Sequence, residues 1–165
     1  MVTSIKGNAT STFGGNVDIT GNVITDAPSF YAYGSVATSA NHQTWTKLIA
    51  DTERWDTDSC YDTSNYRFTP NVEGYYLLSA NYYMGNTAGS RTCRVLRNGG
   101  TEILRGSISD GVSGVGSGAT LNGLVYANGT TDYFEFYMYQ TSGSTISTST
   151  GSYLTYFCGH LVRAA

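Results

Sequence analysis

Lysine is nearly missing from this sequence. Two lysines and seven arginines face twelve acidic residues, for a net charge of -3, and the arginines form no dense run. A chain with so little positive charge offers no electrostatic footprint for a phosphate backbone, which excludes nucleic acid as a partner. Charged residues of both signs reach only 13%, about half the usual share, so helical bundles and coiled coils, which need charged faces, are excluded as well. No apolar stretch approaches the ~20 residues that cross a bilayer, which argues against membrane insertion. Met1 to Thr12 lacks the charged and apolar regions of a signal peptide, so synthesis in the cytoplasm of the producing cell is expected. The three cysteines, Cys60, Cys93 and Cys158, are odd in number and have no Cys-x-x-Cys spacing. Neither a disulfide framework nor a zinc site follows from them, and buried or half-buried thiols are expected.

What the chain has is strand-forming residues. Val, Ile, Thr, Tyr, Phe and Trp make 62 of its 165 positions, against 27 for Ala, Leu, Glu and Lys. This bias toward side chains that fit a pleated surface implies an all-β domain. Residues 1–26 stand apart. They hold one aromatic residue, Phe13, and a six-residue echo, Gly15-Asn16-Val17-Asp18-Ile19-Thr20 and Gly21-Asn22-Val23-Ile24-Thr25-Asp26. Such a segment lacks the apolar bulk to offset its own ordering entropy, and reads as an extended arm that needs another surface to lie on. Pro28 marks the start of a second region, 27–165, in which period-two alternation recurs between turn signals. Tyr76, Leu78, Ala80, Tyr82 and Met84 share one strand face. Phe134, Phe136 and Met138 share another, opposite Tyr133, Glu135, Tyr137 and Tyr139. Strands are predicted near 30–37, 44–50, 66–69, 75–84, 91–97, 101–105, 119–127, 132–140 and 153–162, with a hairpin turn at Asn98-Gly99. Gly106 to Gly118 and Thr141 to Ser152 read as plain solvated connections.

Trp45-Thr46-Lys47-Leu48 through Gly74-Tyr75-Tyr76-Leu77-Leu78 resembles the globular head of complement C1q and its tumour-necrosis-factor-like relatives. Asp56, Tyr61, Phe68, Gly74 and Tyr76 stand at that family's spacings, and Phe68-Thr69-Pro70-Asn71-Val72-Glu73-Gly74 is the most specific piece. Phe157, Gly159 and Leu161 resemble the family's last strand, and Phe134 and Phe136 the strand before it. Ala50, Leu78 and Ala80 replace aromatics of the pattern. The resemblance covers about residues 28 to 163 and implies a ten-stranded antiparallel jelly-roll sandwich that forms a homotrimer. Tyrosines on the second face of strands need somewhere dry to go, which fits association. Gly74 is expected in a turn of positive φ.

The arm is similar to Gly- and Asn-rich segments of fibre and decoration proteins of tailed bacteriophages, where heads of this sort also occur. The combination implies a virion-surface protein: a trimeric capsid decoration or cement protein. In that reading the arm side chains Phe13, Val17, Ile19, Val23 and Ile24 lie on the major capsid protein shell, and three arms add avidity. A receptor-binding tail-fibre tip, with a host cell-surface glycan as partner, and a non-viral bacterial binding module of the same fold are the rival readings.

No catalytic constellation is written in the chain. The only histidines, His42 and His160, lie far apart, and Gly114-Val115-Gly116-Ser117-Gly118 misplaces the serine of a nucleophile elbow. No cofactor is implied. Asp51, Glu53, Asp56, Asp58 and Asp62 crowd into twelve residues, and such oxygen-rich groups can hold calcium, as some relatives of this head do. The stretch lacks the glycine and distal glutamate of an EF-hand, and a solvated acidic loop is expected. The sequons at Asn8 and Asn128 carry no weight without a secretory signal. Trp45 and Trp55 can stack on sugar rings if exposed, but a Trp in an alternating strand more often packs in the core, and the match of Trp45 to a strand of the resembled family implies that placement. Arg91, Arg94, Arg97 and Arg105 are expected either to pair with an acidic loop of a neighbouring copy or to form a binding patch.

Overall fold

A computed structural model describes residues 27–85, 88–106 and 109–165; Phe13, Val17, Ile19, Val23 and Ile24 of the expected arm lie outside the described residues. No helix occurs among the described residues, which form fourteen strands. In chain order these are β1 Ser29–Tyr33, β2 Ser39–Ala40, β3 Thr46–Lys47, β4 Thr52–Asp56, β5 Tyr61–Asp62, β6 Arg67–Phe68 and β7 Gly74–Met84. There follow β8 Gly89–Arg97, β9 Thr101–Arg105, β10 Ser109–Gly111, β11 Ser117–Ala127, β12 Phe134–Gln140, β13 Ile146–Ser147 and β14 Tyr156–Ala164. One layer is a five-stranded sheet in the order β11-β7-β14-β1-β4. The other is seven-stranded, with the path β10-β8-β12-β6-β5, β3 beside β12 and β9 beside β8. Every pairing is antiparallel, and neighbours far apart in sequence, such as β1 with β14, close the chain into a jelly-roll sandwich.

The alternation that predicts the strands also builds the core. In β7, Tyr76, Leu78, Ala80, Tyr82 and Met84 are fully buried, while Tyr75, Leu77, Ser79, Asn81 and Tyr83 face away from the partner sheet. Phe134, Phe136 and Met138 of β12 meet them from the opposite layer. At the centre Phe30 stacks on Phe68 at 4.4 Å and Tyr61 at 4.9 Å and meets the edge of Phe157 at 5.1 Å. Burying each such ring contributes roughly 1.5 to 3 kcal/mol. The buried phenols keep hydrogen-bond partners, as they must: Tyr61 donates to the Ala50 carbonyl, Tyr76 to that of Val72, and Tyr82 to those of Thr92 and Tyr139. Leu161 is half-buried against this cluster.

Two glycines are required by close approach. A Cβ on Gly74 would meet the Arg163 carbonyl oxygen at 2.4 Å, and one on Gly159 would meet Leu78 Cδ2 at 2.6 Å. The expected positive φ at Gly74 is therefore a mistaken cause. Gly74 opens β7 outside the left-handed region, and crowding against β14 is what excludes a side chain. The Asn98-Gly99 turn has φ of 54° and 72°, the signature of a type I′ hairpin between β8 and β9.

Four further differences from expectation have physical causes. The acidic stretch is not all loop, because Thr52–Asp56 pairs with β1 as the edge strand β4. Ser109–Gly111 and Ile146–Ser147 give the two low-complexity connections short strands, paired with β8 and β2. Ser152–Thr155 is a turn closed by the Gly151 carbonyl, so the last strand starts at Tyr156. Trp45 does not enter the core: it is half-buried on the outer surface, since β3 is only two residues long and Trp45 precedes it.

Candidate functional site

The two outer faces of the sandwich share a stripe of aromatic rings and differ in everything else. On the seven-stranded sheet, Glu135 is buried at the centre of the outer face. Its Oε1 accepts from Lys47 Nζ at 3.1 Å and Arg67 Nη2 at 3.2 Å, and its Oε2 accepts from the Tyr137 hydroxyl at 3.3 Å. The Arg67 guanidinium lies over the Tyr133 ring at 4.2 Å. Arg94 lies over Trp45 at 4.1 Å and Tyr137 at 5.7 Å, with Arg105 over Trp45 at 5.1 Å. Glu102 joins the two arginines, accepting from Arg94 at 3.4 Å and from Arg105 at 2.6 Å. The Arg105 hydrogen bond, helped by Arg94, holds the Glu102 carboxyl below the ordinary glutamate range. Arg94 and Arg105 thus pair with Glu102 of their own chain. Arg91 is fully buried, donating to the Gly89 and Ser90 carbonyls. Cation-over-ring contacts of this kind contribute ~0.5 to 1 kcal/mol each where exposed.

On the outer face of the five-stranded sheet the described residues place one arginine over a ring, Arg54 at 5.6 Å from Tyr31. Strand register sets its side chains in rows. One row runs Asn122, Ser79, Cys158, Tyr31, Trp55, and the next runs Leu124, Leu77, His160, Ser29. Below them Tyr126 pairs with Tyr75, and the rings meet edge-on at 5.7 Å. On the other flank Tyr31 lies 5.1 Å from Trp55 and 5.3 Å from Tyr156. Burial and the neighbouring Cys158 and Tyr156 push the Tyr31 phenol above its ordinary value, and the phenol donates to the Ser152 carbonyl. Leu124 is 61% exposed, Val162 53%, Trp55 and Tyr75 47% each and Tyr126 39%. Apart from Val162, which lies in the β14 bulge, these large apolar groups sit on one sheet face, and together they form an exposed apolar patch among the described residues.

A groove of about 290 Å³ opens on this face between β1, β4 and β14, lined by Ser29, Phe30, Trp55, Cys158, Gly159 and His160. Ser29 and Cys158 are small side chains beside Trp55, while Gly159 and Phe30 border the groove with their backbone, the side-chain positions of both facing the core. Burial pushes the Cys158 thiol up to about 11, so it stands there as a neutral apolar group. The sequence singles out Trp55 as a ring able to stack if exposed, and it is 47% exposed here; the groove beside it was not foreseen, because Thr52-Glu53-Arg54-Trp55-Asp56 reads as an acidic loop and its alternation was the signal for a strand.

Three of the five acidic residues hold backbone and side-chain donors of their own chain, Asp56 and Asp62 in local turns and Asp51 across to Ser35. Asp56 accepts from the Cys60 and Tyr61 amides and the Cys60 thiol, Asp62 from Ser64 and Asn65, and Asp51 from Ser35. Among the described residues no three metal-ligating side chains converge. Asn128, the described sequon, has its Oδ1 occupied by the amides of Thr130, Thr131 and Asp132. His42 Nδ1 accepts from the Gly143 amide at one end of the sandwich, far from His160 on the groove wall. The family-motif residues fall into three kinds. Tyr61, Phe68, Tyr76, Phe134, Phe136 and Phe157 are core, Gly74 and Gly159 are close-approach points, and Asp56 is a turn cap.

The sequence matches no protein-family model and no curated protein. Solved structures do resemble it. Murine APRIL at pH 5.0 aligns with TM-score 0.66 at 12% identity, over 82% of this chain and 99% of that one. The Eiger TNF from S. frugiperda aligns with TM-score 0.61 at 11% identity, over 84% and 93%. The globular domain of zebrafish complement 1qA aligns with TM-score 0.59 at 9% identity, over 84% and 99%. At such identities the likeness is one of fold: the chain has the C1q/TNF-like jelly roll.

Proposed function

We propose that this protein is a non-enzymatic head that assembles as a homotrimer and serves as a structural component of a tailed-bacteriophage virion. In that reading it decorates the capsid, and residues 1–26 hold it to the shell of major capsid protein. The single observation that carries the assembly is the bare aromatic face of the five-stranded sheet. Four inter-strand gaps and strands of five to eleven residues give that face a plan area of roughly 500 Å², below the ~800 Å² per partner of a standard interface, so its rims must join the contact. The viral setting rests on the composition and six-residue echo of residues 1–26, which suit adhesion by backbone pairing and by small β-branched side chains.

The test uses the full chain. Sedimentation at micromolar concentration should give three times the 17.7 kDa chain mass, and a monomer would overturn the assembly. Undecorated phage shells should then deplete the trimer from solution. Val17→Asp with Ile19→Asp should leave the trimer intact and abolish shell binding. Trimers that ignore shells but bind host cells would replace this reading with the tail-fibre tip and its glycan partner.

A further inference from the structure

We infer that the end of the sandwich farthest from residue 27 binds neutral polysaccharide, with Tyr153 as the ring on which a sugar unit stacks. The inference goes beyond the function proposed above and holds for a single head as well as for an assembly.

Charge is sorted by end. Ala27 and Ala165 lie at one end, tied to Thr57 and Glu73, and there Asp56, Asp58, Glu73, Asp132 and Arg163 gather. Strand β7 runs from that end to the other, about 33 Å away. The far end is built from residues 34–46, 111–119 and 141–155, and these three segments contain no Asp, Glu, Lys or Arg. Two carboxylates border them and both are engaged, Asp51 by the Ser35 amide and hydroxyl and Asp110 by the Ser90 hydroxyl. What the far end offers is neutral hydrogen-bonding groups, among them the exposed side chains of Asn41, Gln43, Thr44, Thr145 and Thr150. An ionic ligand finds no counter-charge on these loops, whereas a polyhydroxylated neutral one finds donors and acceptors throughout.

Tyr153 adds the apolar element. At 79% it is the most exposed large apolar side chain among the described residues. The turn beneath it is held from every side. The Gly151 amide donates to the Gly34 carbonyl at 3.0 Å, the Gly34 amide to that of Thr155 at 3.1 Å, and the Leu154 and Thr155 amides to that of Gly151 at 3.1 Å each. The Tyr31 hydroxyl and the Asn81 side-chain amide take the carbonyls of Ser152 and Leu154. A Cβ on Gly151 would stand 3.6 Å from Tyr153 Cε1, so the ring lies beside a residue too small to cover it. Singly exposed rings are common on surfaces; this one is distinguished by a fixed turn within a charge-free end. Little backbone freedom is left to lose on binding, and a tyrosine gives a sugar both an apolar face and a hydroxyl.

The test is retention of the full chain on columns of immobilised dextran, mannan and galactan, with polygalacturonate as an acidic counterpart. A column presents many sugar units, so weak single contacts register. At least one neutral column should retard the protein, equally between about 0.05 and 0.5 M salt. Tyr153→Ala should weaken that retention at least tenfold and Tyr153→Trp should keep it, both with the unfolding midpoint of the wild type. The cations Lys47, Arg67, Arg94 and Arg105 on the outer face of the seven-stranded sheet suit an acidic chain instead. Retention by polygalacturonate alone, lost in salt and in Arg105→Ala, would overturn the inference in favour of that face. Neutral retention unchanged in Tyr153→Ala, or none on any of the three neutral columns, would overturn it outright. No column holds a viral shell, so failure here leaves capsid decoration standing, and failure to bind shells leaves this contact standing.

Discussion

The two outer faces carry comparable aromatic stripes, yet only the seven-stranded sheet roofs its own. Tyr133, Tyr137 and Trp45 lie beneath Arg67, Arg94 and Arg105, whereas Tyr31, Trp55, Tyr75 and Tyr126 have aromatic neighbours with a single arginine, Arg54, near Tyr31. The cause is what stands beside the rings. Tyr137 on β12 pairs with Arg94 on β8, and the arginine stem and guanidinium cover apolar surface while the charge stays near water. Tyr31 on β1 pairs with Cys158 and Trp55, and the centre of that sheet offers Ser79 and Leu77. A stripe of tyrosines is therefore no sign of an interface until its cross-strand neighbours are known.

The sharpest way to break the comparison is to damage what both faces share. Phe68→Ala removes the ring between Phe30 and Tyr76 and should cost about 3 to 5 kcal/mol in denaturant unfolding. An unchanged midpoint would mean that the two sheets do not rest on one core. Next, Glu135→Gln leaves Lys47 and Arg67 without their shared carboxylate. Because both cations keep some solvent, a loss of roughly 1 to 3 kcal/mol is expected, below that of a fully buried pair. Arg94→Ala should cost about 1 kcal/mol by uncovering Trp45 and releasing Glu102, and should red-shift tryptophan emission.

On the bare face the same kind of change should barely touch folding. Trp55→Ser is expected to alter the unfolding of a dissociated chain by about 0.5 kcal/mol or less while abolishing trimers in sedimentation. A stability loss as large as that of Glu135→Gln would show that Trp55 is structural and the contrast of faces false. The smallest effect is alkaline. The Cys158 thiol is raised from 9.0 to about 11 in the folded chain, so the stability owed to keeping it neutral is complete below pH 9 and lost as the pH rises through about 11. Any stability difference between wild type and Cys158→Ser should shrink over that window in thermal melts, and a difference independent of pH would contradict the half-buried placement.

The long strands were legible because burial on one face writes period two directly into the chain, as in Tyr76 to Met84 and Phe134 to Met138. The Asn98-Gly99 hairpin was legible for a different reason, since type I′ geometry needs those residues. The short and edge strands were not. β4 has one sheet neighbour and three exposed residues among its five, so charge dominates its composition and hides its pleat. Trp45 was placed wrongly because its match to a strand of the resembled family suggested the core, whereas Leu48 and Ala50 take the inner side and Trp45 lies on the outer one under Arg94 and Arg105. Gly74 was flagged correctly as intolerant for the wrong cause, crowding from Arg163 being a contact between residues far apart in sequence.

The position of β1 has a mechanical consequence. It runs between β14 and β4, antiparallel to both, and Thr57 clasps its first residues through the Ala27 carbonyl and the Ser29 amide. A tether pulled through residue 27 along the strand axis loads the ladders on both sides in shear, so their hydrogen bonds resist together. The edge strand β4, drawn sideways, would peel one bond at a time. A head tugged by its N-terminal segment is thus gripped by two ladders loaded in shear at once.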